Sequence, residues 1–185
     1  DVNNRAYALL RNRRQLQGNG SYSLYVFVRS GLGSALLLGD QVIDGANGLA
    51  GEIGHIHVPD NKRPCRCGLT GCLETVLNQS YLREHYLQIR ASAAGRTEQS
   101  ARHNDLADIF DLAHAGSQEA REVLRLAAHH LAVGLSAAII LMSVHRIVIS
   151  GLFGEHGEEL FPFLQEELDR TVPSFLPFEL VSHEI

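Results

Sequence analysis

Residues 51–74 read GEIGHIHVPDNKRPCRCGLTGCLE, and inside them lies the spacing His55-x9-Cys65-x-Cys67-x4-Cys72. All three cysteines of the chain fall in this stretch. Thiolates are soft anionic ligands and an imidazole can supply a fourth donor, so a Cys3His set is what a closed tetrahedral Zn²⁺ site requires. Gly68 and Gly71, between the second and third thiols, permit the tight turns that bring the ligands together. His57 competes with His55 for the fourth position, and spacing alone does not decide between them. The other reading is three free buried thiols beside a surface histidine, and the clustering argues against it. An odd cysteine count excludes a full disulfide framework. Clustered thiols with no visible secretory signal point to a reducing compartment, the cytoplasm. The polar, glycine-rich path from Gly45 to Gly71 has little periodicity and needs a staple, which a metal would provide.

On the N-terminal side of this loop, Tyr22 to Arg29 (YSLYVFVR) is rich in β-branched and aromatic residues and predicts a buried strand. Ser30-Gly31-Leu32-Gly33 predicts a turn. Leu36-Leu37-Leu38 and Gln41-Val42-Ile43 flank Gly39-Asp40 as a hairpin. On the C-terminal side the pattern turns helical. Leu73 to about Arg90 predicts two helices, or one broken near Asn78-Gln79-Ser80, and Ala91 to His103 a loop. Asn104 is a plausible N-cap for Asp105 to Ala115, and Ser117 caps a long helix to about Met142. His145 to Ser150 predicts a second buried strand, followed by a Gly-rich turn from Gly151 to Gly157. Glu158 to Arg170 is amphipathic, and Phe178 to Ser182 predicts a last strand. The order argues for an α/β fold.

The chain has 185 residues, enough for one domain with its own core, and a formal charge of −5. The densest basic stretch, Arg11-Asn12-Arg13-Arg14, is short and reads as a solvated helix end. No nucleic-acid footprint follows from it, so DNA would be contacted only through a domain outside this segment. The apolar run from Leu131 to Val144 falls short of the ~20 residues a spanning helix needs and suits a buried core helix, so no membrane partner is expected. The chain opens at Asp1 without Met, so the absence of a signal peptide carries little weight.

Gly51-Glu52-Ile53-Gly54-His55, followed by Cys65-Arg66-Cys67-Gly68-Leu69-Thr70-Gly71-Cys72-Leu73-Glu74, closely resembles the signature of the ROK family of bacterial sugar kinases and sugar-responsive transcriptional repressors. The resemblance extends along almost the whole chain. Asp1-Val2-Asn3 looks like the family's Asp-x-Asn motif. Arg29-Ser30-Gly31-Leu32-Gly33 looks like its second phosphate loop, and Ile149-Ser150-Gly151-Leu152 lies where it has a Gly-rich turn near the adenosine. It implies an actin/hexokinase-like (ribonuclease H-like) fold with a zinc-stapled loop. Residues 1–185 would be mostly the C-terminal lobe of a ROK domain, with the first phosphate loop, the N-terminal lobe and the last helix absent. It favours His55 over His57 as the ligand beside Cys65, Cys67 and Cys72. It also implies self-association through this lobe, as a homodimer or higher homo-oligomer.

By the same resemblance Glu52, His55 and Glu74 contact a sugar, with Asn3 and Asp1 on its other side. The chemistry is sound, because carboxylates accept strong hydrogen bonds from hydroxyls and an imidazole adds another. Two functions from different classes remain open. In a sugar kinase, Asp1 is the general base for attack on the γ-phosphate of Mg²⁺·ATP, and Ser30, Gly31 and Gly33 cradle phosphate. In a repressor, the same pocket binds a hexose or hexose derivative without turning it over, and the sugar shifts a conformational population. Arg29 stands where the kinases have glycine, and Leu152 and Phe153 would crowd a nucleotide base. These departures tilt the reading towards the effector domain of a repressor.

Overall fold

The run YSLYVFV forms the central strand, β1 (Tyr22–Val28). The computed structural model describes residues 21–39, 41–94 and 105–183. Asp1, Asn3, the Arg11–Arg14 stretch, Asp40 and Asn104 lie outside them. β1 pairs antiparallel with β2 (Leu32–Leu38), which turns back into β3 (Gln41–Val42) through the register Leu38↔Gln41, as the hairpin reading requires. On its other edge β1 runs parallel to β4 (Arg146–Gly151), and β4 runs parallel to β5 (Glu179–His183). The sheet order is β3-β2-β1-β4-β5. Parallel neighbours need long crossovers. The first carries the cysteine loop and three helices, α1 (Gln79–Ala94), α2 (Leu106–His114) and α3 (Gln118–Met142). The second carries α4 (Leu152–Glu155) and α5 (Gly157–Thr171).

Strand side chains alternate between faces. Leu24, Val26 and Val28 join Leu36, Ile147 and Ile149 in the core shared with the helices, while Tyr25, Ala35, Leu37 and Val148 form a smaller cluster on the opposite face. α3 is the spine of the helical layer. Its buried stripe, including Leu124, Leu131, Leu135 and Ile139, packs against α1, α2 and α5. By length and composition α3 could cross a membrane, but these contacts identify it as a core helix. The Ser117 hydroxyl accepts from the Ala120 N–H at 3.3 Å and caps it as expected.

Four local expectations are corrected. α1 continues to Ala94, so residues 91–94 are helical rather than loop. The N-cap of α2 is Asp105, which forms a reciprocal capping box with Asp108; a carboxylate there serves better than the preceding asparagine because it also meets the positive end of the helix dipole. Residues 152–155 form a short helix inside the predicted turn. Gly33 belongs to β2, opposite Phe27, so the turn after β1 is only Arg29-Ser30-Gly31. The predicted break near Asn78 is present: a 3-10 turn (Leu73–Thr75) ends there, and Asn78 Oδ1 accepts from the Tyr81 N–H at 2.9 Å to start α1.

His130, on α3, has both ring nitrogens buried without a hydrogen-bond partner among the described residues. Burial first, then the neighbouring His129 and His85, pushes its pKa down to about 4. An unfolded histidine titrates near ~6.5. The depressed folded value means that this group's contribution to stability is complete above the unfolded pKa and is lost as pH falls towards the folded one. Melting temperatures measured from pH 7 to pH 4 should therefore fall more steeply for the wild type than for His130→Leu. Parallel curves for the two proteins would contradict this.

Candidate functional site

The cysteine loop is closed by backbone hydrogen bonds before any ion is considered. The Val58 N–H donates to Gly71 O (2.8 Å), Cys65 N–H to Leu69 O (2.8 Å) and Leu73 N–H to Ile56 O (2.9 Å). His57 and Cys72 form an antiparallel bridge, as do Pro64 and Thr70. This lacing brings one ligand atom each from His55, Cys65, Cys67 and Cys72 within 4.8 Å of one another. His55 Nδ1 lies 3.7 Å from Cys65 Sγ, and Cys67 Sγ lies 3.6 Å from Cys72 Sγ. A tetrahedron with metal–sulfur bonds of about 2.3 Å would place its donors about 3.7 Å apart, so donor set and spacing fit a bound metal ion. His57 is elsewhere. Its ring lies against Gly71, whose φ is +85° and whose Cβ, if it had one, would sit 2.6 Å from the imidazole.

Without an ion the thiols are unequal. Burial pushes Cys65 up to about 12 and raises Cys72 as well. The Leu69 backbone N–H, donating to sulfur, is the main cause that lowers Cys67. Cys65 Sγ donates to Glu74 Oε1 at 2.8 Å. A divalent cation would draw the protons off the thiols, and Glu74 would then have to take its hydrogen bond from another donor.

Two short turns carry the site residues, and both dock on α3. Ile53–His55 and Leu73–Thr75 are 3-10 turns whose apolar members, Ile53 and Leu73, are buried. Leu73 reaches Gly134 so closely that a Cβ there would meet its Cδ2 at 2.7 Å, and Ile53 lies beside it. With these anchors inward, Glu52, His55 and Glu74 face a cleft of about 1450 Å³. His55 Nε2 is 3.9 Å from Glu52 Oε2, and His55 Nδ1 is 4.0 Å from Glu74 Oε1. The ring thus turns one nitrogen to the sulfurs and the other towards Glu52.

The same cleft is lined by Ser30, Gly31 and Gly33. Structure therefore brings together the residues expected for sugar and those expected for phosphate; Asp1 and Asn3, outside the described residues, are not placed. It also adds residues that the sequence did not mark as part of a site, among them Arg63, Asn78 and Arg83. Arg63 stacks over the Tyr81 ring (4.9 Å) and pairs with Glu84 (3.4 Å). Nothing in a single half-buried arginine or asparagine marks it as facing a cleft; the fold of the loop against α1 does that.

The two turns expected on the nucleotide side are neighbours, because Val28 and Gly151 pair at the carboxyl ends of parallel β1 and β4. That end of an open α/β sheet is where ligands bind. Arg29 leans across the gap to Glu155 at 3.4 Å. A Cβ on Gly31 would meet nothing within 4 Å. Phe153 does not crowd this space: it is fully buried in the core, edge-on to Phe110 with ring centroids 5.8 Å apart, and Leu152 packs partly against the same core. Its bulk is needed to fill the core beneath α4, a demand that a linear reading of the turn does not reveal.

The ROK family profile matches residues 1–183. A glucokinase of Thermotoga maritima is 28% identical over 159 residues, which cover 83% of this chain and 50% of that protein. The DNA-binding transcriptional dual regulator NagC of Escherichia coli K12 is 29% identical over 143 residues, covering 77% of this chain and 35% of the regulator. Among solved structures, a ROK family transcriptional regulator described as a homologue of the E. coli MLC protein superposes with a TM-score of 0.81 at 26% identity, over 98% of this chain and 46% of that one. The chain thus spans half or less of the length of these relatives.

Proposed function

The chain belongs to the ROK family, and on that premise we propose that it is the sugar-binding effector lobe of a transcriptional regulator, modulated by a hexose or hexose derivative. The observation that carries this reading is the division of the His55 ring between the sulfur cluster and Glu52, with Glu74 beside it. Two carboxylates and an imidazole at the wall of one cleft suit a polyol, whose hydroxyls both donate and accept. The ion is Zn²⁺, held by His55, Cys65, Cys67 and Cys72; when bound it fixes the loop and the imidazole tautomer. Glu52 and Glu74 accept hydroxyl protons, and His55 Nε2 completes the set. Asn3 and Asp1 approach the sugar from the opposite side.

In this reading residues 1–185 are mostly the C-terminal lobe of a ROK domain of a cytoplasmic protein. DNA is contacted by a separate domain, and sugar shifts the balance between DNA-competent and incompetent states through its differential affinity for them. Arg29 tilts the reading towards a regulator: it places a side chain, paired with Glu155, on a turn where glycine backbone would approach a triphosphate. A second reading, an ATP- and Mg²⁺-dependent sugar kinase with Asp1 as general base, is favoured by the open space over Gly31 next to the Ser30 hydroxyl. The exposed Ile140 and Leu141 at the end of α3 offer apolar surface for a homodimer.

Two properties can be read from one sample of the full-length protein. Metal analysis should give one zinc per chain, with three sulfurs and one nitrogen in its X-ray absorption; an oxygen-rich shell would contradict the site. Light scattering should give a dimer mass, and a clean monomer would count against the α3 interface.

The regulator is distinguished from the kinase by turnover. Calorimetry should show binding of a hexose or N-acetylhexosamine that Glu52→Ala and Glu74→Ala each weaken by about tenfold or more, since each removes a charge-assisted acceptor. A coupled ADP-release assay over the same sugars should show negligible phosphorylation. Turnover of about 1 s⁻¹ or more, lost in Asp1→Asn, would replace the regulator by the kinase.

A further inference from the structure

Between His55 and Cys65 the loop carries Asn61, a residue to which neither the metal cluster nor the sugar contacts assign a role. Its half-buried side chain is fully engaged. Nδ2 donates to Cys72 O at 3.2 Å and to Thr75 Oγ1 at 2.9 Å, while Oδ1 accepts from the Arg63 N–H at 3.0 Å. Thr75 is itself buried, and its hydroxyl donates to Cys72 O at 2.7 Å. Asn61, Thr75 and the Cys72 carbonyl therefore close a small hydrogen-bonded ring around the turn that contains Glu74.

The bond from Arg63 is local and shapes a turn that Asp or Ser would make equally well. The two donated bonds are different. They reach across the loop to its far limb, and only a carboxamide combines one acceptor with two donors at this position. Asn78 holds the same turn from the helix side, donating to Glu74 O (3.2 Å) and Thr75 O (3.0 Å). Cys72 ties the turn to the cluster and Leu73 buries its apolar side against Gly134, which sets the side on which Glu74 emerges. Asn61 and Asn78 hold the backbone on either side of Glu74, and so refine where its carboxylate stands relative to His55.

We propose that Asn61 is a positioning residue: it orients Glu74 for the sugar through the Thr75 hydroxyl and the Cys72 carbonyl, separately from the metal's own hold on the loop. This rests on the sugar-site reading above. In Asn61→Asp the acceptor for the Arg63 N–H is kept, but a carboxylate oxygen faces Cys72 O and Thr75 Oγ1 where two donated bonds had been. Thr75→Val breaks the ring without touching Asn61, and Thr75→Ser restores the hydroxyl.

The test uses the full-length protein loaded with Co²⁺, titrated by calorimetry with D-glucose and N-acetyl-D-glucosamine. The visible bands of Co²⁺ report the ligand cluster independently of the sugar. Asn61→Asp and Thr75→Val should each weaken binding of the preferred sugar by about tenfold, the scale of a lost buried hydrogen bond. Thr75→Ser should stay near the wild type, and the cobalt bands of all three variants should be unchanged. Asn61→Asp binding as tightly as the wild type would overturn the proposal. So would a loss of affinity that appears only together with altered cobalt bands, because Asn61 would then serve the cluster alone. If Glu74→Ala also binds sugar like the wild type, the sugar-site reading falls with it; if Glu74→Ala is weakened and Asn61→Asp is not, only the role of Asn61 falls.

Discussion

Gly134 of α3 has no side chain, and Leu73 fills the space that leaves, with Ile53 packed beside it. This close approach is the constraint on which the site depends. Apolar burial and tight packing are non-directional individually but unforgiving of displaced volume. Once Leu73 and Ile53 are fixed against a helix that itself spans the core, the residues next to them have no choice of side. Glu74 follows Leu73, and Glu52 and His55 flank Ile53–Gly54, so both short turns present their polar members to the same cleft. The loop between them is long and irregular, and it is closed by its own backbone ladder, by Asn61, and by the cluster of one imidazole and three thiols.

The sheet supplies the other wall. β1 and β4 end side by side, so the turn after each strand lies next to the other without any special sequence. Such a place accepts phosphate when the turns are bare backbone. Here one of them carries Arg29, tied to Glu155. Glu52, His55 and Glu74 bring acceptors to one wall of the cleft, while the turn after β1 carries a side chain and an ion pair in place of bare backbone. That asymmetry is physical rather than a matter of motif counting, and it is smaller than the sequence implied, because Phe153 belongs to the core.

Strands β1 and β4 were legible because a buried strand in a mostly covered sheet is a dense run of β-branched and aromatic residues. The long helix was legible from its cap and its apolar period. Thiol spacing picked out the candidate ligand cluster that the fold brings together, since few other arrangements use three cysteines so close together. Choosing His55 over His57 needed either the family resemblance or coordinates, because the choice depends on which side of the loop each ring takes, and the bridge between His57 and Cys72 turns His57 against Gly71. Asn61, Arg63 and the bonds by which Asn78 holds the Glu74 turn were not legible, although the helix break at Asn78 was. Each matters through partners made adjacent only by loop closure. The helical residues 91–94 and the inward turn of Phe153 escaped for a related reason, since tertiary packing decided them against a weak local pattern.

On the function proposed above, the metal loop, docked on α3, presents the residues that read a sugar. Calorimetric titration of N-acetyl-D-glucosamine and D-glucose into the full-length protein, metal-loaded and then stripped with a chelator, tests it most directly. Stripping should weaken binding of the preferred sugar by about tenfold or more, since His55 and Glu74 lose their fixed positions, and restoring Zn²⁺ should recover it. Equal affinity in the loaded and stripped protein would contradict it.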